Sequence, residues 1–334
     1  MPRKRIERPQ LHAVVKSPSP PPVPSIGLAL GGGGARGLAH ILMLEAFDEL
    51  GIKPKLITGT SIGAMMGAAY ASGVSGAEMR AHTKYILSQR FSVLRDFFAE
   101  RPLQRIRELF PGKSALLDPA AVLDVVMPKQ TKADFESLPI QLKIVASDYY
   151  DQEPQVFTQG PLGIAVAASM ALPAIFQPVI VDGKAMIDGG LTNPLPYDLL
   201  EGEVDIIVAI DVSGAPVPDP RRPYPTAMEA LFASAFLFER TIVREKLKTA
   251  QPDILITSGT QRFQLLDILK VDEILAAAEP AKERLKAQLQ RVLSVETLPQ
   301  IAASGEHEAE KAGNRLLPRS KRKFLSRRKA TDPE

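Results

Sequence analysis

The stretch Leu-Ile-Thr-Gly-Thr-Ser-Ile-Gly, residues 56–63, decides the fold of this chain. It begins as an apolar strand and runs into a segment rich in glycine and alanine, which predicts a helix over 62–72. A serine with a glycine two positions away on each side can occupy a turn so sharp that its side chain projects above the sheet. Gly59 and Gly63 are expected there because a Cβ at either position would clash with the neighbouring strand and helix. The pattern also fits an ordinary strand-to-helix turn, so Ser61 is at this point a candidate nucleophile.

A second strand-to-helix unit lies directly upstream of this stretch. Residues 26–30 predict a short buried strand, Gly-Gly-Gly-Gly-Ala-Arg-Gly follows at 31–37, and the spacing of apolar residues predicts a helix over 38–50. Together with the strand before Ser61, these segments form a βαβ unit, whose two strands are expected to be parallel with a right-handed crossover. The sequence therefore predicts an α/β protein.

The glycine run allows three interpretations. It is not a Walker loop, because no Gly-Lys-Ser/Thr follows at the required spacing. Gly32, Gly34 and Gly37 match the G-x-G-x-x-G pattern of dinucleotide sites, but the acidic residue that such sites carry about 20 positions later is missing. The third interpretation is an oxyanion hole made of consecutive backbone N–H groups at a helix N-terminus. Parallel neighbouring strands would place that hole and Ser61 on the same edge of the sheet.

A serine hydroxyl needs a base before it becomes a good nucleophile. Among the four histidines only His307 follows in the Ser, Asp, His order of α/β-hydrolases, and its acidic neighbours favour a solvated face. A carboxylate is the remaining option. The candidates at predicted strand ends are Asp148, Asp182, Asp188 and Asp211. Asp188 is favoured, because it alone is followed by two glycines, Gly189 and Gly190, that would let a helix and a substrate approach closely.

Composition excludes several classes of chemistry. The 334 residues contain no cysteine, which removes thiol nucleophiles, thiolate metal sites and disulfides. The four histidines show no paired ligand spacing, so no metal site is expected. The longest apolar run, 164–176, is too short for a membrane span, and no apolar segment follows the basic N-terminus as a secretory signal would require. The sequence predicts a cytoplasmic protein.

Charge divides the chain into an acidic body and two basic ends. Residues 1–24 carry a net charge of +4, residues 311–334 carry +7, and the remainder carries −8. We predict a disordered, proline-rich N-terminal tail, one domain over 25–310 and a disordered C-terminal tail. No specific nucleic-acid binding is expected, because the positive charge lies outside the predicted domain. The tails predict peripheral contact with anionic membranes, with simple solubilisation as the alternative.

The segment 75–138 predicts amphipathic helices interrupted by prolines. Its apolar residues are densely clustered, among them Leu94, Phe97, Phe98, Leu103, Ile106, Leu109 and Phe110. Core packing is the favoured interpretation, and a mobile cap over an apolar channel is the alternative. Further strands are predicted at 141–148, 155–157, 179–188 as a hairpin, 206–212 and 253–257, and further helices at 164–171, 226–250 and 271–295. Pro280 is expected to kink or split the last helix.

Three motifs in this order carry a resemblance to a known family. Gly-Gly-Gly-Ala-Arg-Gly at 32–37, Gly-Thr-Ser-Ile-Gly at 59–63 and Asp-Gly-Gly at 188–190 resemble the patatin-like phospholipases. Residues 145–148 and 168–179 also resemble bacterial members of that family, and the likeness covers roughly residues 26–211. Each motif alone is unspecific, whereas their combination is specific.

The resemblance implies a three-layer α/β/α sandwich with a mostly parallel central sheet. It implies a Ser-Asp dyad, with Ser61 as nucleophile and Asp188 as base, that hydrolyses acyl esters of lipids without a metal or cofactor. It also implies an oxyanion hole from the backbone of Gly32, Gly33, Gly34, Ala35, Arg36 and Gly37. Arg36 could orient this loop, contact a phosphate or be a surface charge. The alternative function is a non-catalytic nucleotide- or lipid-binding module that uses the glycine-rich loop.

Overall fold

The computed structural model describes residues 24–89, 117–216 and 222–313, without the side chains of Gln89, Met228 and the residues after 294. Pro24–Ser294 form one compact unit. The second unit combines Met1–Val23 with Val295–Glu334, and of it only the helical backbone of 295–313 is described. The predicted tails therefore lie almost wholly outside the described residues. Their disorder, their contact with membranes and the domain limits 25–310 stay predictions.

The described residues form eight strands and seven α-helices. The strands are β1 Ile26–Leu30, β2 Leu56–Thr60, β3 Gln141–Asp148, β4 Pro154–Phe157, β5 Val179–Val181, β6 Lys184–Asp188, β7 Ile206–Asp211 and β8 Ile254–Thr257. The helices are α1 His40–Glu49, α2 Ile62–Ala71, α3 Gly76–Gln89, α4 Pro119–Val126, α5 Leu162–Ser169, α6 Ala227–Thr249 and α7 Val271–Gly313. Short 3-10 helices occupy Gly34–Ala39, Gly189–Leu191, Tyr197–Leu200 and Asp267–Lys270.

The strands form one sheet in the order β5-β6-β3-β2-β1-β7-β8, with β4 paired to β3. The neighbouring strands β3, β2, β1, β7 and β8 are parallel to one another. The pairs β3–β4, β3–β6 and β5–β6 are antiparallel. The first βαβ unit is therefore parallel, as predicted, and the sheet is mostly parallel. The antiparallel β5–β6 hairpin confirms the prediction of two strands around the turn at Asp182.

Helices cover both faces of the sheet. Successive residues of a strand point to opposite faces, so neighbouring residues of β1 belong to different hydrophobic clusters. Leu28 and Leu30 belong to a hydrophobic cluster with residues of α1, α2, α5 and α7. Ala29, between them, belongs to a second cluster, which includes Val243 of α6 and Tyr197 of the 3-10 helix Tyr197–Leu200. The chain is a three-layer α/β/α sandwich, which confirms the predicted fold class.

The register of β3 brings two distant segments of sequence together. Val145 lies opposite Thr60, the last residue of β2, and the next residue of β3, Ala146, lies opposite Asp188 at the end of β6. Because these pairs are adjacent on β3, the turn after β2 and the carboxyl end of β6 meet at one edge of the sheet. This places Ser61 beside Asp188.

Two predictions about helices need correction. The segment 75–138 is helical only in α3 and α4 among its described residues, and 127–138 form turns. Met127 is extended because Pro128 disfavours helical geometry in the residue before it. Residues 90–116, with the predicted apolar cluster, lie outside the described residues. Pro280 does not split α7, which is continuous, and buried residues on both sides of it, including Leu275 and Leu285, anchor the helix. A kink at Pro280 stays a prediction.

Candidate active site

Ser61 occupies a strained turn between β2 and α2. Its φ of 55° and ψ of −122° are rarely adopted by residues other than glycine, and such strain costs about 1–3 kcal/mol. The turn is held by Ser169, whose Oγ accepts a hydrogen bond of 2.8 Å from the Ser61 N–H and donates one of 2.5 Å to the carbonyl of Val145. No sequence pattern distinguishes Ser169 as a site residue, because an interior serine at the end of a small-residue helix is common.

Glycine is required on both sides of the turn, because α2 lies against the main chain of β1 and of β2. A Cβ at Gly63 would lie 2.1 Å from the carbonyl oxygen of Leu30, and one at Gly59 would lie 2.7 Å from the carbonyl oxygen of Gly63. Both contacts are shorter than any real Cβ contact, and both involve backbone that cannot rotate away. The predicted reason for the two glycines is confirmed.

Gly63→Ala is expected to destabilise the fold by about 2 kcal/mol or more, because the new methyl group must push α2 away from β1. Gly163→Ala in α5 is the matched control, since a Cβ there meets nothing within 4 Å. That control is expected to be neutral or to stabilise by up to about 1 kcal/mol, because alanine is the better helix former. Urea unfolding of both variants measures the difference. Equal stabilities would contradict the close approach of α2 and β1.

Ser61 and Asp188 form a direct hydrogen bond. Ser61 Oγ donates to Asp188 Oδ2 at 2.6 Å, and Asp188 Oδ1 accepts a second bond of 2.8 Å from the N–H of Gly190. Asp188 is 4% exposed. Burial raises the pKa of Asp188 to about 6, since desolvation of the carboxylate outweighs the hydrogen bonds from Ser61 and Gly190 that favour the ionised form. Asp188 is thus a stronger base than an ordinary aspartate and is still largely ionised at neutral pH.

The other carboxylates considered from the sequence lie in turns or caps. Asp148 accepts from the backbone N–H groups of Tyr150 and Asp151 and pairs with Lys184. Asp182 forms the hairpin turn with a positive φ of 50°. Asp211 accepts from the backbone N–H of residue 213. None of the three contacts Ser61.

No described histidine side chain contacts the Ser61–Asp188 pair. His40 is buried in α1 and its Nε2 donates to the carbonyl of Gly31 at 2.9 Å. Burial lowers the pKa of His40 to about 4, against the opposing effect of that hydrogen bond. The ring of His82 binds the carbonyl of Val126. His12 and the side chain of His307 lie outside the described residues.

Only part of the glycine-rich loop has free backbone N–H groups. The N–H of Gly32 donates to the carbonyl of Pro194 at 2.9 Å, and the N–H of Ala35 donates to that of Leu265 at 2.8 Å. The N–H groups of Gly33 and Gly34, which line the same cavity as Ser61, donate to no described residue. Gly33 and Gly34 thus have unpaired amides beside Ser61, and the oxyanion hole over 32–37 stays a prediction.

Arg36 is not a surface charge, which corrects one of the three interpretations made from the sequence. Its side chain is 3% exposed, donates to the carbonyl of Phe263 at 3.3 Å and lies over the ring of Phe236. Burial lowers the pKa of the Arg36 guanidinium, and the nearby carboxyl of Glu239 opposes that shift. Arg36 therefore adds a buried positive charge near Phe236 and Glu239.

Ser61 and Asp188 line a cavity of ≈ 200 Å³ whose remaining walls are mostly apolar. Helices α2, α3, α4 and α6 contribute side chains, among them Met65, Ile86, Val122 and Phe236. Helices α3 and α4, which belong to the segment 75–138, therefore form part of the cavity wall. Glu239 of α6 also faces this cavity, although nothing in its sequence context distinguishes it from the solvent-exposed charges of an amphipathic helix.

Within the described residues, no group of three or more His, Cys, Asp or Glu side chains is placed to hold a metal ion. A search of the same residues finds no helix with the length and apolar character needed to cross a membrane.

The fold and this geometry define a class: α/β proteins in which a serine on a strand-to-helix turn meets a buried aspartate at the edge of a mostly parallel sheet. The family model described as patatin-like phospholipase matches residues 28–200. The matched range is more than half of the 334 residues and includes both Ser61 and Asp188. The chain belongs to the patatin-like phospholipase family, as the sequence motifs predicted.

Curated relatives match more than half of the chain. An uncharacterized NTE family protein of Mycobacterium tuberculosis is 35% identical over 195 residues, which are 58% of this chain and 50% of that protein. Patatin-like phospholipase domain-containing protein 7 of Rattus norvegicus is 32% identical over 191 residues, 56% of this chain and 14% of that protein. The chain thus spans half or less of the length of these relatives.

Two solved structures are similar to this chain at low sequence identity. Human GIVD cytosolic phospholipase A2, in complex with methyl gamma-linolenyl fluorophosphonate and terbium chloride, has a TM-score of 0.45 and 10% identity, and the match covers 81% of this chain and 60% of that chain. VipD from Legionella pneumophila has a TM-score of 0.44 and 15% identity, and covers 80% of this chain and 67% of its own.

Proposed function

We propose that this protein is a serine acyl hydrolase that cleaves fatty-acyl ester bonds of phospholipids or related lipids. The observation that carries the proposal is the 2.6 Å hydrogen bond from Ser61 Oγ to the buried carboxylate of Asp188, in the wall of an apolar cavity. Membership of a phospholipase family supports lipids as the substrate class. The apolar walls fit an acyl chain, and their polar edge at Ser61 fits the ester group.

In the proposed reaction Ser61 Oγ attacks the ester carbonyl carbon while Asp188 accepts the hydroxyl proton. The carbonyl oxygen becomes an oxyanion that the N–H groups of Gly33 and Gly34 stabilise. Collapse of this tetrahedral intermediate breaks the bond to the alcohol, which leaves with the proton from Asp188. Water then attacks the acyl-enzyme with Asp188 again taking the proton, and the fatty acid and free Ser61 are formed.

The raised pKa of Asp188 supports this role, because a general base works best when its pKa lies near the working pH. The second contact of Asp188, with the N–H of Gly190, fixes the carboxylate in the plane that faces Ser61. Oxyanion stabilisation by one backbone donor contributes about 10²–10³ in kcat in well-studied hydrolases.

A fluorophosphonate probe tests the proposal directly, since only an activated serine forms the phosphonyl adduct. We expect the native protein to be labelled once per chain and mass spectrometry to locate the adduct on the peptide that contains Ser61. Heat-denatured protein is the control and should not react. An adduct on another serine, or no adduct on protein whose fold is verified by circular dichroism, would overturn the proposed function.

A further inference from the structure

Glu239 is a second buried carboxyl group beside Asp188. It lies on α6, is 5% exposed and faces the cavity that Ser61 lines. Glu239 Oε1 and Asp188 Oδ1 lie 2.9 and 3.1 Å from the point that a Cβ of Gly190 would occupy. The two carboxyl groups therefore flank the same glycine, and a side chain at Gly190 would displace one of them.

The carboxyl oxygens of Glu239 accept no hydrogen bond from a described residue, and only burial and the charges of Asp188 and Arg36 act on the group. Buried polar groups almost always have a partner, because an unsatisfied one costs about 1–3 kcal/mol. Asp188, by comparison, is satisfied by Ser61 and Gly190. An unpartnered carboxyl group that faces the substrate cavity has the arrangement expected of a group whose partner is the ligand.

The charges around Glu239 indicate what kind of ligand group it can bind. Burial and the ionised Asp188 raise the pKa of Glu239 to about 8, and the positive charge of Arg36 opposes them. At neutral pH the group is mostly protonated and can both donate and accept a hydrogen bond. A cationic ligand group would gain little from a neutral acid close to Arg36, and an anionic group would be repelled by Asp188. A neutral hydroxyl group fits best.

The position of Glu239 indicates which part of an ester it would meet. Most of the cavity wall is apolar and suits the acyl chain, whereas Glu239 lies at the polar edge with Asp188 and the glycine-rich loop. A substrate whose carbonyl group sits at Ser61 and whose chain fills the apolar part has its alcohol portion at this edge.

We propose that Glu239 hydrogen-bonds a free hydroxyl group on the alcohol portion of the substrate, and so selects acyl esters of polyols that keep an unesterified hydroxyl next to the scissile bond. This inference rests on the proposed acyl hydrolase function and adds a specificity-determining residue to it. Glu239 takes no proton from Ser61, and its contact with substrate is separate from the Ser61–Asp188 pair.

The test compares kcat/KM for 1-octanoylglycerol and propyl octanoate, which differ only in the two hydroxyl groups of the alcohol, at monomeric concentrations. We expect the wild-type protein to prefer the glycerol ester by about 10-fold or more, the range that one unpaired buried hydrogen-bonding group gives. Glu239→Leu should reduce the ratio to about 1 by slowing the glycerol ester alone. Glu239→Gln should keep part of the preference, because an amide also donates and accepts.

Two controls separate this inference from the proposed function. Glu245→Leu changes an exposed glutamate of the same helix and should keep the wild-type ratio. The rate of fluorophosphonate labelling at Ser61 should be unchanged in Glu245→Leu, and labelling at Ser61 should still occur in both Glu239 variants, since the probe has no glycerol portion. A ratio that is equal in wild type and Glu239→Leu, with labelling intact, would overturn the role of Glu239 alone. Failure of labelling in the wild type would instead overturn the proposed function.

Discussion

Ser61→Ala is expected to lower kcat for ester hydrolysis by about 10⁵–10⁶-fold, the loss seen when the nucleophile of a serine hydrolase is removed. The reason is that the proposed covalent step needs Ser61 Oγ, which is the only hydroxyl group among the described residues that donates to the Asp188 carboxylate. The nearby Ser147 Oγ donates instead to the backbone carbonyl of Asp188. Alanine keeps the Cβ of the strained turn, and the Ser61 N–H bond to Ser169 does not depend on the hydroxyl group. The variant should therefore fold, and a chromogenic acyl ester measures its activity.

Ser72→Ala is the matched control for this variant. Ser61 and Ser72 cap the two ends of α2, and Ser72 Oγ donates to the carbonyl of Ala68 and accepts from the N–H of Lys132. Loss of those bonds should cost stability of about 1 kcal/mol or more with little change in kcat. If Ser61→Ala kept more than about a hundredth of wild-type kcat, another residue would have to be the nucleophile.

The local part of this architecture could be predicted from the sequence. Gly59, Ser61 and Gly63 encode the strand, turn and helix within eight residues, and the clash that excludes a Cβ at Gly63 is a contact between adjacent elements. The hairpin around Asp182 is equally local. Asp188 could be favoured from its two following glycines, but its assignment as the base came from the resemblance to a family.

What could not be predicted depends on contacts between distant segments. The pairing of β6 with the end of β3 sets Asp188 beside Ser61, and no local pattern specifies that register. Ser169 holds the turn from another helix, and Glu239 reaches Gly190 from α6. Glu239 is followed by an exposed arginine in an amphipathic helix, so its sequence context predicts a solvated charge. Only the packing of α6 against the segment after β6 buries it.

Asp188→Asn is expected to lower kcat by about 10⁴-fold, similar to the loss when the carboxylate of a catalytic triad becomes an amide. Asparagine has the same shape and can still accept from the N–H of Gly190, but it cannot take the proton of Ser61. Asp148→Asn is the matched control, since Asp148 also ends a strand of this sheet. Its carboxylate accepts from the N–H of Tyr150 in a turn and pairs with Lys184. Its kcat should stay within a few-fold of wild type.

The pH dependence gives a second measurement on the same residue. Because the base must be ionised, kcat/KM of the wild type should rise with pH to a plateau, with its inflection near 6, the raised pKa of Asp188. Glu239, with its pKa raised to about 8, stays neutral through that range, and Arg36 stays charged. Any residual activity of Asp188→Asn should lack the inflection. An inflection near 4 in the wild type would show that Asp188 is not desolvated as the structure places it.

Measuring the stability of Asp188→Asn shows whether its inactivity comes from loss of the base or from loss of the fold. A carboxyl group whose pKa is higher in the folded than in the unfolded chain makes stability fall as pH rises from about 4 to about 6. At pH 7 the buried, ionised Asp188 therefore destabilises the wild type, by about 3 kcal/mol for a pKa shift of about two units. Asp188→Asn removes that cost, so we expect it to unfold at an equal or higher urea concentration than wild type at pH 7. An inactive variant that is also clearly less stable would mean that Asp188 serves the fold and would remove the support for its role as the base.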